Sequence, residues 1–157
     1  MRELSGQLKT LFEGAGPLVE RLQAEMPFIS AAAMLARARH ILAELSEAEQ
    51  IAVINAHPRI GERAEQVRAQ SAASFKEQGY DHDDTPADVF VRLARLNEEY
   101  ERKFGFRFVV FVNRRPKAEL VPVLEDRLSR SRTEELKTAL ADIVAIAEDR
   151  LRRPPPD

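Results

Sequence analysis

The sequence contains no cysteine and no tryptophan, and its charges are nearly balanced. Without cysteine the chain has no disulfide, no thiolate zinc site and no cysteine nucleophile. The formal net charge is -2, from 24 Lys and Arg against 26 Asp and Glu, so the basic surface typical of nucleic-acid-binding proteins is missing. No apolar run approaches the roughly 20 residues that span a bilayer. These absences argue against a disulfide scaffold, a nucleic-acid-binding protein and a membrane protein.

The residues that are present predict one folded domain. A chain of 157 residues buries roughly two thirds of its unfolded surface when it folds. Its 44% hydrophobic and 32% charged residues are ordinary for a globular protein. We predict one domain over residues 1–152 and a proline-rich tail over residues 153–157. The segment from Met1 to Gln7 is too polar for a secretory signal, so we expect a cytoplasmic protein.

Helix-start and helix-stop signals recur along the chain. Residues 46–49 and 131–134 have the capping-box form, in which a serine and a glutamate three residues later each accept a hydrogen bond from the other's backbone. Ser30 is a further expected N-cap. Gly79 and Gly105 are natural left-handed terminators. The pattern predicts an all-α fold, a single compact multi-helix domain.

Three segments allow more specific expectations. Residues 63–78 are good helix formers, and we expect one continuous helix there. After a polar loop at residues 80–84, Thr85 and Pro86 predict a helix start with a hydroxyl cap. Residues 106–112 are β-branched and aromatic, but no second segment offers them a strand partner. We expect these seven residues to form a short buried connector.

His57 is the histidine whose context points to chemistry. Pro58 disfavours helical geometry at the preceding residue, so a helix should end there and leave the imidazole at its C-terminal mouth. A cationic cap on the helix dipole explains the residue equally well, and either placement should raise its pKa. His40 and His82 are most simply solvated. Three histidines at irregular spacing, without cysteine, match no metal-binding pattern, so we expect no metal.

A polar pentapeptide, Ser74-Phe75-Lys76-Glu77-Gln78, is the second candidate. Most such segments are exposed helix ends, and this one acquires functional meaning only beside His57. If the two helix ends converge, they offer an imidazole, a carboxylate, a primary amide and a hydroxyl. That set is enough to bind a polar heterocycle through its edge and to move protons on it.

These two motifs carry a resemblance to a known family. His57-Pro58-Arg59-Ile60-Gly61, followed 17 residues after His57 by Ser74-x-x-Glu77-Gln78, is similar to the signature of 2-oxo-4-hydroxy-4-carboxy-5-ureidoimidazoline (OHCU) decarboxylases. The resemblance covers nearly the whole chain. It continues through Leu11-Phe12-Glu13-Gly14, Leu96-Asn97-x-x-Tyr100-x-x-x-Phe104-Gly105-Phe106-x-Phe108-Val109-Val110, Lys117-Ala118-Glu119, Arg132-Thr133-Glu134-Glu135-Leu136 and Arg150-Leu151.

The resemblance implies an all-α, cofactor-free enzyme that is typically a homodimer. The implied reaction is that of a carbon–carbon lyase in urate degradation, which decarboxylates the product of 5-hydroxyisourate hydrolysis to S-allantoin. It implies His57 as the acid/base residue and Glu77 as its carboxylate partner. The partner is a small molecule, with no role for nucleic acid or a membrane. The implied substrate-binding residues are Pro58, Ser74, Gln78, Phe108, Val109, Val110, Phe111, Val112 and Arg150, with residues 108–112 acting through their backbone.

The sequence departs from the family pattern in two loops. An Ala-Gly pair common after the Glu-Gln is replaced here by Gly79-Tyr80-Asp81-His82, and residues 113–116 differ from the usual Gly-Arg turn. A common N-terminal tryptophan is also missing. Two alternatives therefore stay open beside OHCU decarboxylation: a relative acting on another ureido or imidazoline carboxylate, and a non-catalytic helical binding domain.

Overall fold

A computed structural model of the chain describes residues 2–14, 16–82 and 84–153. Within these residues the fold consists of α-helices and one short 3-10 helix, with no strand, so the all-α prediction is confirmed. None of these helices is both long and apolar enough to cross a membrane. The α-helices are α1 (Arg2–Leu11), α2 (Pro17–Ala24), α3 (Ala31–Glu44), α4 (Glu47–Asn55), α5 (Ala64–Gln70), α6 (Ala72–Glu77), α7 (Ala87–Phe104), α8 (Lys117–Leu128) and α9 (Arg132–Arg152).

The predicted caps are present. The hydroxyl oxygen of Ser30 accepts a hydrogen bond from the backbone N–H of Ala33 at 3.0 Å. Ser46 and Ser131 each form a complete capping box. Gly105 ends α7 in the left-handed region, with φ of 83°. Local sequence therefore determines where most of these helices begin and end.

Two expectations about helix boundaries are wrong. Residues 63–78 form two helices, because Ser71 adopts an extended conformation (φ -161°, ψ 112°) and its hydroxyl caps α6 by accepting from the N–H of Ser74 at 3.0 Å. A serine side chain that bonds to nearby backbone competes with helix continuation. Pro86, not Thr85, occupies the N-cap position of α7, and no side chain at that position caps the helix.

The connector, residues 106–112, runs without regular secondary structure through the interior. Phe106 and Phe108 are buried there beside Tyr100 and Phe104 of α7. The Tyr100 ring lies 4.5 Å from that of Phe104 and 5.4 Å from that of Phe108, between centroids, with both pairs inclined. The expectation of a buried connector is confirmed. Of the predicted tail, Arg153 is described, and residues 154–157 lie outside the described residues, as does Asp83 of the polar loop.

Candidate active site

His57 lies just beyond the end of α4 and is 3% exposed. Its Nδ1 is 3.3 Å from the carbonyl oxygen of Val53, one turn back. Because a carbonyl only accepts hydrogen bonds, this contact assigns the hydrogen to Nδ1 and leaves a lone pair on Nε2. Nε2 is buried and has no hydrogen-bond partner among the described residues. The ring therefore presents a free acceptor.

The pKa of His57 is lowered from 6.5 to about 3, first by burial and then by the positive charge of Arg150. The expectation that helix-end placement raises this pKa is wrong. A helix dipole contributes about 0.3–1 kcal/mol at an exposed site, whereas full burial shifts a pKa by as much as 3–5 units. His57 is therefore neutral at neutral pH, and it does not act as a cationic helix cap.

The turn that follows His57 is held by side chains from two other helices. The Gln78 side chain accepts from the N–H of Gly61 at 2.9 Å and donates to the carbonyl of Arg59 at 3.3 Å. Asn97 of α7 donates to the carbonyl of Ile60 at 2.9 Å. Both amides therefore support the shape of the turn. Gln78 uses its side-chain oxygen and one of its two N–H donors in these bonds.

Glu77 forms a two-pronged ion pair with Arg150 of α9. Arg150 Nε lies 2.8 Å from Glu77 Oε2, and Nη2 lies 2.9 Å from Oε1. Nη2 also donates to the Ser74 hydroxyl at 3.1 Å. This fork-to-fork geometry fixes the carboxylate plane as well as its position. Among the described residues Glu77 makes no hydrogen bond to His57, and the carbonyl of Val53 sets the tautomer of the imidazole.

Glu13 is a member of this cluster that the sequence analysis did not identify as a site residue. Its Oε1 accepts from the Ser71 hydroxyl at 2.9 Å and lies 2.5 Å from Arg150 Nη1. Burial raises the pKa of Glu13, and the charge of Arg150 opposes that rise. Glu13 itself has φ of 60°, an uncommon value outside glycine. Its match to the family's opening turn was the signal in the sequence.

Backbone groups of the connector are held by charged side chains in place of a neighbouring strand. Arg127 Nη1 donates to the carbonyl of Val109 at 2.9 Å, and the N–H of Phe111 donates to Asp142 at 3.1 Å. Arg115 donates to the carbonyl of Phe111 at 2.7 Å. The connector is thus positioned rigidly although it belongs to no sheet.

Arg107 joins the connector to the end of α4. Its backbone N–H donates to the side-chain oxygen of Asn55 at 2.9 Å, and its guanidinium donates to the carbonyl of His57 at 3.0 Å. The imidazole and the connector are therefore fixed relative to each other, as a site that must hold reacting groups in register requires.

One pocket is formed where these parts meet. The empty space within it, counted together with its opening to solvent, is about 500 Å³. The wall combines apolar side chains with a few polar groups. It is formed by His57, Pro58, Ile60, Ser74, Glu77, Gln78, Val109, Val110, Phe111, Val112, Asn113, Arg114, Ile146, Asp149 and Arg153.

Nine of the eleven residues named from the sequence lie in this wall, and Phe108 and Arg150 do not. Phe108 is fully buried beneath the wall, and Arg127 covers its ring at 4.7 Å. Arg150 lies behind Ser74 and Glu77, where its donors are already used; Nη1, for example, donates to the carbonyl of Thr10 at 2.7 Å. Arg150 therefore holds Glu77 and Ser74 in position, and its positive charge acts on the site from behind the wall.

Six wall residues were not anticipated. Ile146, Asp149 and Arg153 lie on α9 or at its end, at helical spacing around Arg150, so the 3.6-residue period was the signal for them. Ile60 belongs to the recognised motif. Asn113 and Arg114 directly follow the connector, and only their departure from the family turn marked them.

The profile of one protein family, described as OHCU decarboxylase, matches residues 2–152 of this chain. This chain belongs to the OHCU decarboxylase family. A relative in Haloferax volcanii, named 2-oxo-4-hydroxy-4-carboxy-5-ureidoimidazoline decarboxylase, is 29% identical over 141 residues, covering 90% of this chain and 82% of the relative. A Bacillus subtilis relative, the uric acid degradation bifunctional protein PucL, is 29% identical over 94% of this chain, which corresponds to 29% of that longer protein.

A solved structure also shares the fold of this family member. The crystal structure of an OHCU decarboxylase in the presence of (S)-allantoin superposes with a TM-score of 0.75 at 23% identity, covering 94% of each chain. At that identity the superposition supports the fold. The family assignment rests on the sequence match over residues 2–152.

Proposed function

We propose that this chain decarboxylates OHCU to S-allantoin without a cofactor, with His57 and Glu77 as its catalytic pair. The observation that carries the proposal is the neutral, buried imidazole whose Nε2 has no partner, in the wall of a pocket that also contains the Glu77 carboxylate. A free acceptor of this kind is costly to bury unless a ligand uses it. Membership of the OHCU decarboxylase family supplies the substrate.

The chemistry needs no electron sink from the protein. The carbon that loses carbon dioxide carries a hydroxyl and lies beside an imine and a ring carbonyl, which take up the electron pair of the broken carbon–carbon bond. Loss of carbon dioxide leaves one pair of electrons and one negative charge on the ring, at the former imine nitrogen. That nitrogen takes one proton from solvent, and the hydroxyl proton moves to the neighbouring ring carbon to complete allantoin. Nε2 of His57 accepts the hydroxyl proton, and the imidazolium returns a proton to one face.

Substrate charge adjusts the basicity of His57. In the free protein its pKa of about 3 makes it a weak base. An anionic carboxylate held in the same buried pocket stabilises the imidazolium and raises this pKa. Proton transfer to Nε2 is therefore favoured when the substrate is bound. The negative charge stays on the ring when carbon dioxide leaves, and the imidazolium becomes less stable again once the ring has been protonated.

The other wall residues orient the ligand. Glu77, fixed by Arg150, accepts a hydrogen bond from the substrate hydroxyl or ureido N–H. Residues Val109 to Val112 belong to the same wall, and the backbone groups there that no described side chain occupies bind the heterocycle edge, while Pro58, Ser74 and Gln78 shape the remainder. Phe108 and Arg150 act from behind, the first by packing and the second by holding Glu77.

A coupled assay tests the proposal. Urate oxidase and hydroxyisourate hydrolase generate the substrate in situ, and circular dichroism follows the chirality of the allantoin formed. We expect rapid formation of S-allantoin with the wild-type protein and only the slow racemic background with His57→Ala. His40→Ala, an exposed histidine on α3, is the matched control and should retain full activity.

The alternatives give different results in the same experiment. A wild-type protein that leaves only the racemic background, yet turns over another ureido carboxylate, is a relative with a different substrate. A protein that turns over none of them is a helical binding domain. Activity that survives in His57→Ala contradicts the proposed mechanism while leaving the substrate assignment intact.

Two further properties belong to this proposal. The family resemblance supports a homodimer, which light scattering coupled to size-exclusion chromatography tests by giving twice the 17.8 kDa chain mass. We also propose a cytoplasmic location, and cell fractionation tests it. A monomer, or a protein found outside the cytosol, would overturn the respective statement.

A further inference from the structure

Free positive charge is scarce in the pocket wall. Arg150 lies behind the wall, between Glu13 and Glu77. Arg153 is in the wall, and its Nε lies 3.0 Å from the carboxylate of Asp149. Arg114 is the remaining arginine of the wall, and no described residue accepts a hydrogen bond from it or forms an ion pair with it. Arg153 is thus paired in charge with Asp149, although its Nε makes no hydrogen bond, and Arg114 is the cation of the described wall that has no ion-pair partner among the described residues.

The backbone at Arg114 is strained in a way that the fold does not require. Asn113 and Arg114 have φ of 50° and 63°. Asparagine tolerates this left-handed region, but an arginine there is less stable than a glycine would be. Sparsely populated backbone conformations cluster at functional sites. Local stability therefore does not explain the arginine at this position, and a functional role does.

The neighbouring residue already carries out the structural task of this turn. Arg115 donates from Nε to the carbonyl of Val112 at 3.0 Å and from Nη2 to that of Phe111 at 2.7 Å. Its guanidinium thereby ties the turn to the connector. Arg114, which is exposed, makes none of these bonds.

Arg114 also stands at a junction of two depressions. The inner pocket contains His57, and an outer one is lined by residues that include Lys76, Asp84 and Pro116. Both walls include Arg114 and Arg153, together with two residues of the 74–78 motif. A ligand passing from the outer depression to His57 passes Arg114.

We propose that Arg114 is a substrate-binding residue that captures the carboxylate of the ureido substrate at the pocket mouth; the identity of that carboxylate rests on the proposed function. A guanidinium binds a carboxylate through two parallel N–H donors. The contact forms in the ground state and is still present as the carbon–carbon bond begins to break, so it stabilises the ground state and the transition state about equally. Such uniform binding lowers KM and leaves kcat nearly unchanged.

Arg114→Gln and Arg114→Gly test the proposal. We expect each to raise KM about tenfold and to change kcat less than about twofold. Arg114→Gly should also keep or raise the melting temperature, because glycine relieves the left-handed strain. A loss of binding together with an unchanged or higher stability separates a ligand-binding role from a structural one.

The matched control is Arg95→Gln, which removes one exposed arginine of α7 and therefore makes the same change in net charge. It should leave KM unchanged. An equal rise of KM in this control would show a general field effect, and an unchanged KM in both Arg114 variants would show no contact; either result overturns the proposal.

A binding experiment distinguishes this proposal from the assignment of the reaction. Calorimetric titration compares allantoate, an open-chain ureido carboxylate, with allantoin, which has no carboxylate. We expect Arg114→Gln to weaken allantoate binding about tenfold and allantoin binding less than twofold. Equal losses for the two probes, or no loss, overturn the carboxylate contact whether or not the wild-type protein decarboxylates OHCU.

Discussion

Burial of a single imidazole determines the chemistry available at His57. The ring is 3% exposed, its Nδ1 faces the carbonyl of Val53, and its Nε2 is left without a protein partner. A buried ring in this state accepts a proton from a ligand and is protonated reluctantly by solvent. At the scale of one residue, the environment thus selects a neutral base.

This environment has a measurable effect on stability. The folded-state pKa of His57, about 3, is below its ordinary value of 6.5, so the unfolded chain binds the proton more tightly. Stability from this group is fully present above pH 6.5 and is lost as the pH falls toward 3, by up to about 1.4 kcal/mol per pH unit. Wild-type protein should therefore lose about 2 kcal/mol more than His57→Gln between pH 6.5 and 5.

Urea unfolding at a series of pH values measures that difference. Both proteins share every other titrating group, including His40 and His82, so the difference between their curves isolates His57. Parallel pH dependences in the two proteins would show that the imidazole is solvated in the folded state. A steeper loss in the variant would show a stabilised imidazolium.

At the scale of elements, the turn after His57 connects the helix end with the rest of the site. Gly61 has φ of 77°, and a Cβ there would lie 2.9 Å from Cδ1 of Leu93. Gly79 has nearly the same φ, 79°, but its Cβ would meet nothing within 4 Å. The two glycines therefore separate backbone strain from steric contact within one protein.

Gly61→Ala should be the more destabilising of the two substitutions. Gly79→Ala costs about 1–2 kcal/mol for a left-handed L-residue, and Gly61→Ala adds an overpacking cost of about 1–3 kcal/mol against Leu93. Chemical unfolding of both variants gives the comparison. Equal losses would mean that Leu93 moves aside without cost, and that the turn is less tightly packed against α7 than the structure indicates.

On the scale of the whole molecule, the site is assembled from distant parts of one core. Arg150 of α9 donates to the carbonyl of Thr10 near the end of α1 and to Glu77 of α6. One cluster of buried apolar residues extends from Leu8 to Ala147 and includes residues of every described α-helix except α5 and α6. The ion pair between Glu77 and Arg150 joins α6 to α9, so we expect α6 to unfold together with the helices of this cluster.

Thermal unfolding should accordingly be one cooperative transition. Far-ultraviolet circular dichroism follows the helices, and the near-ultraviolet signal of Tyr100, measured in a Tyr80→Phe background, follows the aromatic core. The two melting curves should coincide. An earlier loss of the tyrosine signal would reveal a core that loosens while the helices persist, contrary to a single packed unit.

The sequence by itself determined the helical class, most helix ends and the family. Capping boxes, glycine terminators and proline act on groups within about four residues, so their outcome is readable locally. Nine wall residues could be predicted because they match the positions of the family's motifs. The break at Ser71 was not, because a serine is compatible with either a helix interior or an N-cap.

Only the tertiary structure decided the electrostatics of the site. The low pKa of His57, the place of Arg150 behind the wall and the entry of Glu13 into the cluster depend on segments far apart in the chain. Burial sums the contributions of many distant residues, and a charge acts through space with a strength set by that burial. Neither quantity is a property of a short stretch of sequence.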